Sequence, residues 1–151
     1  MKMPKLNLPD MNFKSKLLNG NTQIFDKVRK RYVKLTPEEW VRQNFIYYLH
    51  FYKNYPLGLM AIEKVIKYNS MNIRADIVLY NKNKKPYLIV ECKAPNVSIT
   101  KDTFYQITKY NYKLNVQLFV LTNGLNHYCC RIDYLNKNIK FLNEVPLYES
   151  I

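Results

Sequence analysis

Two apolar runs stand almost back to back in this chain, "IRADIVLY" at residues 73–80 and "PYLIVECK" at residues 86–93. Only "NKNKK", residues 81–85, separates them, and that linker is polar and turn-like. Short apolar runs of this kind read as strands, and so short a linker folds them into a hairpin. A strand as apolar as "YLIV" sits centrally in a sheet rather than at its edge, so the charges that end it lie at the sheet's mouth. Successive strand residues point to opposite faces, so Glu91 and Lys93 share one. With Tyr80 opposite Tyr87, the hairpin register also sets Asp76 across from Glu91.

Opposed residues in an antiparallel pair have Cβ atoms about 4.5–5.5 Å apart. Asp76, Glu91 and Lys93 are therefore expected to converge. Two carboxylates so close are destabilising unless something neutralises them. Lys93 supplies one positive charge, and a divalent cation would supply two. Carboxylates with waters suit Mg²⁺, or Mn²⁺ in its place, and the backbone carbonyl of Cys92 could add a ligand. Metal and Lys93 together could orient and deprotonate a water for attack on a phosphodiester. The plainer alternative is a surface salt bridge at a sheet edge.

The rest of the chain supplies layers for such a sheet. "LTPEEWVRQNFIYYLHFYK" is the strongest helix, with Thr36 as N-cap, Pro37 at the first helical position and Glu39 completing a capping box. "LMAIEKVIKY" alternates imperfectly and reads as a strand. "ITKDTFYQITKYNYKLN" reads as a helix capped by Ser98 or Thr100. "VQLFVLTNG" is a strand ending in an Asn-Gly turn, and "NHYCCRIDY" and "NIKFLN" are two more. The order of elements predicts an α/β domain with a central mixed sheet flanked by helices. Residues 1–22 read as an extended basic arm, and 23–151 as one domain.

The chain carries 24 Lys and Arg against 11 acids, a net charge of +13. That excess favours a polyanionic partner, usually nucleic acid. The densest cluster is Arg29, Lys30 and Arg31, with Lys34 close by, and it reads either as a phosphate contact or as a solvated face. No run of about 18 apolar residues exists, so no membrane-spanning helix is expected. "MKMPKLNLPDMNFKSK" has no apolar h-region and so no secretory signal. Cys92, Cys129 and Cys130 lack metal-finger spacing and read as reduced thiols, which suits a cytoplasmic protein.

Asp76 followed by Glu91-Cys92-Lys93 resembles the Asp…Glu-x-Lys core of the PD-(D/E)XK nuclease superfamily. "RADIVLY", "VECKAP", "QITKY" and "LTNG" resemble the N-terminal nuclease domain of type I restriction enzyme R (HsdR) subunits, over roughly residues 24–131. The resemblance implies a restriction-endonuclease-like fold and Mg²⁺-dependent cleavage of DNA. It implies that Asp76 and Glu91 bind the metal and that Lys93 is the catalytic lysine. Gln106 and Tyr110 match the family's Gln-x-x-x-Tyr motif, which supports the site and contacts DNA. They stand four apart, on one helix face. The family also tends to place an acid on its first helix. Glu38 and Glu39 both qualify, and Glu38 is favoured because it shares a face with Val41, Arg42, Phe45 and Leu49.

R subunits continue into a helicase-like motor, whereas this chain ends at Ile151 and has no Walker phosphate loop, so ATP-driven translocation is not expected of it. A double-strand cutter with one site per chain needs two chains or two visits, which makes a homodimer one candidate partner and separate restriction-system subunits another. Two other readings compete. One is a catalytically silent nucleic-acid-binding or complex-forming module on the same fold. The other is a small-molecule or redox protein using Cys129 and Cys130.

Overall fold

A computed structural model describes residues 2–68 and 70–149, with the backbone alone at 68, 71, 110, 111 and 113. The elements run β1 (Ser15–Leu18), β2 (Asn21–Asp26), β3 (Arg31–Lys34), α1 (Pro37–Tyr47), β4 (Met60–Tyr68), β5 (Met71–Tyr80), β6 (Pro86–Cys92), α2 (Lys101–Asn111), β7 (Leu118–Thr122), β8 (His127–Asp133) and β9 (Asn138–Leu142). Strands β4 to β9 form one six-stranded sheet in chain order. Only β6 and β7 pair in parallel, because α2 carries the chain from one to the other. The remaining neighbours are antiparallel. The fold is thus α/β, a mixed sheet flanked by helices, in keeping with a restriction-endonuclease-like architecture.

Alternation along the strands divides the core in two. Ile77, Leu79, Leu88, Val90, Leu118 and Val120 pack with Val41, Phe45 and Leu49 of the α1 segment. Val78, Ile89, Phe119 and Leu121 pack with Phe104 of α2 and with Leu114 and Val116 beyond it. The helices therefore lie on opposite faces of the sheet. Helix α1 starts where Thr36 Oγ1 accepts the Glu39 N–H at 3.0 Å, with Pro37 at the first position. Its continuation, Tyr48–Tyr52, is a π-helical turn. Thr100, one of the two expected caps, starts α2 by accepting the Thr103 N–H at 3.1 Å.

Two expectations about the sequence need correction. The first concerns the N-terminal arm. Residues 15–34 form a separate three-stranded antiparallel meander, β1-β2-β3. Upstream of it, Leu6 is buried, the Asn7 N–H donates to the Gly124 carbonyl at 2.8 Å, and Trp40 Nε1 donates to the Pro4 carbonyl at 2.9 Å. Apolar anchors thus tie down what charge and prolines suggest is loose.

The second concerns the hairpin. Ile77 pairs with Val90, Val78 with Ile89 and Leu79 with Leu88, the expected register. A shift after Leu79 then sets Tyr80 opposite Pro86 rather than Tyr87. The thiols are free and buried, in line with the reading as reduced thiols. Cys129 packs in the α1-side core and Cys130 in the α2-side core, since neighbours on a strand face opposite ways. Burial pushes the Cys129 thiol up to about 12 and Cys130 up as well, so the pair offers no joint redox centre.

Candidate active site

Strand β5 brings Asp76 to the sheet's mouth by breaking its own regularity. The β4–β5 ladder pairs Ile62 with Ile77 and Lys64 with Ala75, and is interrupted at Glu63 and Asp76 between them. Glu63 has φ +51°, a left-handed conformation that costs a non-glycine residue about 1–3 kcal/mol. Across this irregularity the alternation slips. Ala75 belongs to the α2-side core and Ile77 to the α1-side core, although they are two residues apart. The imperfect alternation of "LMAIEKVIKY" has its physical cause here.

Both oxygens of Asp76 are engaged. Oδ2 accepts the Cys92 N–H at 2.7 Å, which locks the end of β6 to β5. Oδ1 lies 3.2 Å from Arg42 Nη2. Arg42 is buried in α1 and gathers four carboxylates: Asp76, Glu38 at 3.3 Å, Glu39 at 3.0 Å and Glu63 at 3.2 Å. Its Nε has no partner among the described residues. Sequence reasoning passed over Arg42. The available signal was its spacing, three and four residues after Glu39 and Glu38, where helical side chains meet.

Glu91 takes another direction. It lines an open cleft with Ile73, Arg74, Ala75, Ile89, Gln106, Ile107 and Leu114. Its Oε1 lies 3.1 Å from Lys93 Nζ, with both side chains more than a third exposed. The hydrogen bond to Glu91 holds the Lys93 ammonium above its ordinary value; burial opposes this, and the charges of Glu91, Asp76 and Glu38 add to it. Lys93 therefore sits in the field of all three acids. Its N–H donates to the Thr122 carbonyl at 2.8 Å, extending the β6–β7 pairing past Cys92.

The loop after β7 fixes this end of the sheet. Asn123 Oδ1 accepts the N–H groups of Leu125 and Asn126, while Nδ2 donates to the Val97 carbonyl at 2.8 Å. Thr122 Oγ1 meets His127 Nδ1 at 2.7 Å and accepts the Gly124 N–H at 2.9 Å. The Thr122-Asn123-Gly124 sequence is thus a buckle between the loops that follow β6 and β7.

The remaining predicted site residues divide. Gln106 reaches the Glu91 cleft from α2, and the Tyr110 side chain lies outside the described residues. The first-helix acids exchange the expected places. Glu39 is the buried one, bound to Arg29, Arg42 and Gln43, while Glu38 is exposed at the mouth. The inward face of α1 therefore carries Glu39, and only its backbone N–H serves the expected cap.

Arg29 is a further correction to the basic cluster. Its guanidinium is paired with Asp26 and Glu39, so it is turned inward and already neutralised. Lys30, Arg31 and Lys34 are exposed. The Cys92 side chain is buried in the core, and burial raises its thiol well above the usual value, so only its backbone carbonyl is left as a donor.

Two carboxylates from neighbouring strands offer the hard oxygens that Mg²⁺ or Mn²⁺ prefers, and Asp76 and Glu91 fit such an ion in chemistry. No cluster of three or more His, Cys, Asp or Glu suited to a metal occurs among the described residues. An ion here would complete its shell with water and backbone carbonyl, and would have to share Asp76 Oδ1 with Arg42.

The family model for the type I restriction enzyme R protein N terminus matches residues 37–146. The chain belongs to that family. The matched segment begins with α1 and holds Asp76, Glu91, Lys93 and Gln106, while β1–β3 lie before it. Among solved structures, a Vibrio vulnificus YJ016 fragment assigned as an HsdR subunit of a type I restriction enzyme is 20% identical, with TM-score 0.49. The match covers 75% of this chain and 24% of that one, so the chain spans about a quarter of that fragment. The type IIG restriction endonuclease BpuSI is 24% identical over 74% of this chain and 13% of its own, with TM-score 0.45. An Anabaena variabilis ATCC 29413 protein assigned as a nuclease of the DUF820 group is 12% identical, with TM-score 0.50. That match covers 93% of this chain and 85% of the other, and bears on the fold alone. No curated protein matched.

Proposed function

We propose that this chain is a Mg²⁺-dependent DNA endonuclease of the PD-(D/E)XK type. The observation that carries the reading is the Glu91–Lys93 pair at 3.1 Å, opening into a cleft shared with Gln106. Asp76 lies at the same strand end, close enough for its charge to act on Lys93. Asp76, Glu91 and the Cys92 carbonyl would hold the metal. Bound there, the metal would act as a Lewis acid on the phosphate and lower the pKa of a coordinated water.

Each side chain has a task that follows from its surroundings. Without metal, Lys93 is a charged counter-ion to Glu91. A cation on the carboxylates would oppose that stabilisation and favour the free amine, able to orient a water or take its proton. Gln106, which lines the same cleft, would donate its amide to a phosphate oxygen or to the water. Glu38, exposed at the mouth, would receive a proton or a second ion. Exposed Lys30, Arg31 and Lys34 would contribute to holding the DNA backbone, together with the general positive charge.

The deciding experiment compares plasmid cleavage by wild type and Lys93→Ala in Mg²⁺, in Mn²⁺ and in EDTA. We expect cleavage by wild type with metal only, and loss of at least about 100-fold in the variant with DNA affinity largely kept, the scale of a missing acid–base group. Equal cleavage by both proteins would take Lys93 out of the mechanism.

A specific feature favours a second reading, a silent nucleic-acid-binding module. Arg42 already neutralises Asp76, as a resident counter-ion would in a domain that needs no metal. Under that reading wild type cleaves nothing in any metal, and divalent ions leave its melting temperature unchanged.

A further inference from the structure

The meander β1–β3 has two unlike faces. Ile24 and Asp26 point inward and are fully buried, beside Gln43 of α1. The other face carries Lys14, Lys16, Gln23, Phe25, Tyr32 and Lys34, as the pairings show. Lys16 stands opposite Gln23, Gln23 opposite Lys34 and Phe25 opposite Tyr32, and the Phe25 N–H extends the ladder to the Lys14 carbonyl at 2.8 Å. The three lysines are exposed, while Gln23, Phe25 and Tyr32 are half-buried.

We propose that this outward face is a binding platform for single-stranded nucleic acid. Its charge has one sign. The only carboxylate on the three strands, Asp26, is on the opposite face, and no ion pair involves Lys14, Lys16 or Lys34 among the described residues. The lysines lie instead over the rings. Lys16 Nζ is 4.2 Å from the Tyr32 centroid and Lys14 Nζ is 5.9 Å from that of Phe25. The two rings meet edge to face at 5.3 Å.

An ammonium over an aromatic face is a weak, exposed partnership that phosphate outcompetes. A strand laid across the sheet would draw the lysines onto its phosphates and free the ring faces for its bases. Base–aromatic stacking on a basic surface tolerates any sequence and needs an unpaired strand, because duplex bases hide their faces. Across the sheet, Lys16, Gln23 and Lys34 cover two strand spacings, about 10 Å, enough for contacts to successive nucleotides. Gln23 adds an amide between the two cations.

The face lies before the matched segment 37–146 and shares no residue with the Glu91 cleft. It deepens the reading of a DNA-directed protein, and rests on that reading only for the choice of a polynucleotide as the polyanion. Its test runs without metal and so without cleavage.

Fluorescence anisotropy in EDTA would follow binding of a labelled oligothymidylate and of a duplex of equal length over a range of salt. The variants are the triple Lys14→Gln/Lys16→Gln/Lys34→Gln and the double Phe25→Leu/Tyr32→Leu, each checked by circular dichroism melting. The triple variant should lose about tenfold or more in oligothymidylate affinity and lower its log–log salt slope by about 2, the value for three phosphate contacts on a single strand. The ring variant should lose about tenfold on the single strand with an unchanged slope and little change on the duplex.

An unchanged affinity and slope in the triple variant would overturn the platform, since its exposed side chains leave the fold intact. Equal effects of the ring variant on single strand and duplex would overturn stacking. A protein that cleaves nothing yet shows both losses would refute the nuclease reading alone.

Discussion

Asp26 is the side chain on which most of the buried polar structure turns. Its Oδ1 accepts the Val28 and Arg29 N–H groups, and its Oδ2 meets the Arg29 side chain and Gln43 Nε2. Burial pushes its carboxyl up, but the hydrogen bonds and charge of Arg29, with Gln43, outweigh that and hold it below the usual range. A depressed carboxyl contributes stability above its unfolded value, near pH 4, and loses it as pH falls through the folded value. Asp26→Asn should therefore lower unfolding free energy at pH 7 by about 3 kcal/mol, the scale of a broken buried ion pair. The gap to wild type should narrow steadily as pH falls below about 4, and close only below the folded value of Asp26, where both proteins carry a neutral group. Urea denaturation across that range would check it, and a gap independent of pH would mean that the hydrogen bonds alone matter. None of this was legible beforehand. Asp26 and Arg29 look like ordinary surface charges in "FDKVRKR", because nothing local shows that Glu39 and Gln43 will close over them.

Elements whose signal is apolar and local were the ones open to reading. "IRADIVLY" and "YLIVEC" announce β5 and β6, and Thr36 with Pro37 announces α1. Strands β1 to β3 were missed because they mix charged and apolar residues, with one face turned to solvent. One signal was there. Asn19 and Gly20 have φ +52° and +79° and join Leu18 to its partner Asn21, and Asn-Gly between strands is a strong hairpin mark. Hairpin spacing was enough to set Asp76 and Glu91 at one strand end, whereas Arg42 and Glu63 gather beside Asp76 only through packing. Gly124 tests how far one turn controls its neighbours. Its φ is +85°, and a Cβ there would lie 2.7 Å from Leu6 Cδ2 and 3.2 Å from Val41 Cγ2. Gly124→Ala should cost about 1–3 kcal/mol from the backbone alone and expose residues 4–13 to protease. Limited proteolysis beside a thermal melt would report both, and an unchanged cleavage pattern would show that the segment is held without the turn.

For the whole molecule, the open issue is how charge is distributed between the resting protein and its loaded form. The site is a meeting of acids with two cations, Arg42 and Lys93, inside a protein of strongly positive total charge. If Asp76 and Glu91 hold a metal, Mn²⁺ at about 100 times its dissociation constant should stabilise the fold by about 2.7 kcal/mol. A scanning fluorescence melt should show that rise in wild type, its reversal by EDTA, and its absence in Asp76→Ala. A rise of equal size in the variant would place the ion elsewhere. This readout needs no DNA and no turnover, so it separates a site that binds metal from a site that also cuts.

The tie between Asn7 and Gly124 bears on the order in which the chain can be completed. Residues 4–13 leave the ribosome before the sheet they rest on, and the Gly124 carbonyl that takes the Asn7 N–H is made more than a hundred residues later. Through most of synthesis Leu6 has no Gly124 turn to rest on, and the sheet has no β7 for β6 to join. A segment translated before the sheet is thus fully seated only after it. A ribosome pausing before residue 124 would present an open sheet edge and a row of unburied apolar side chains to whatever chaperone waits at the exit.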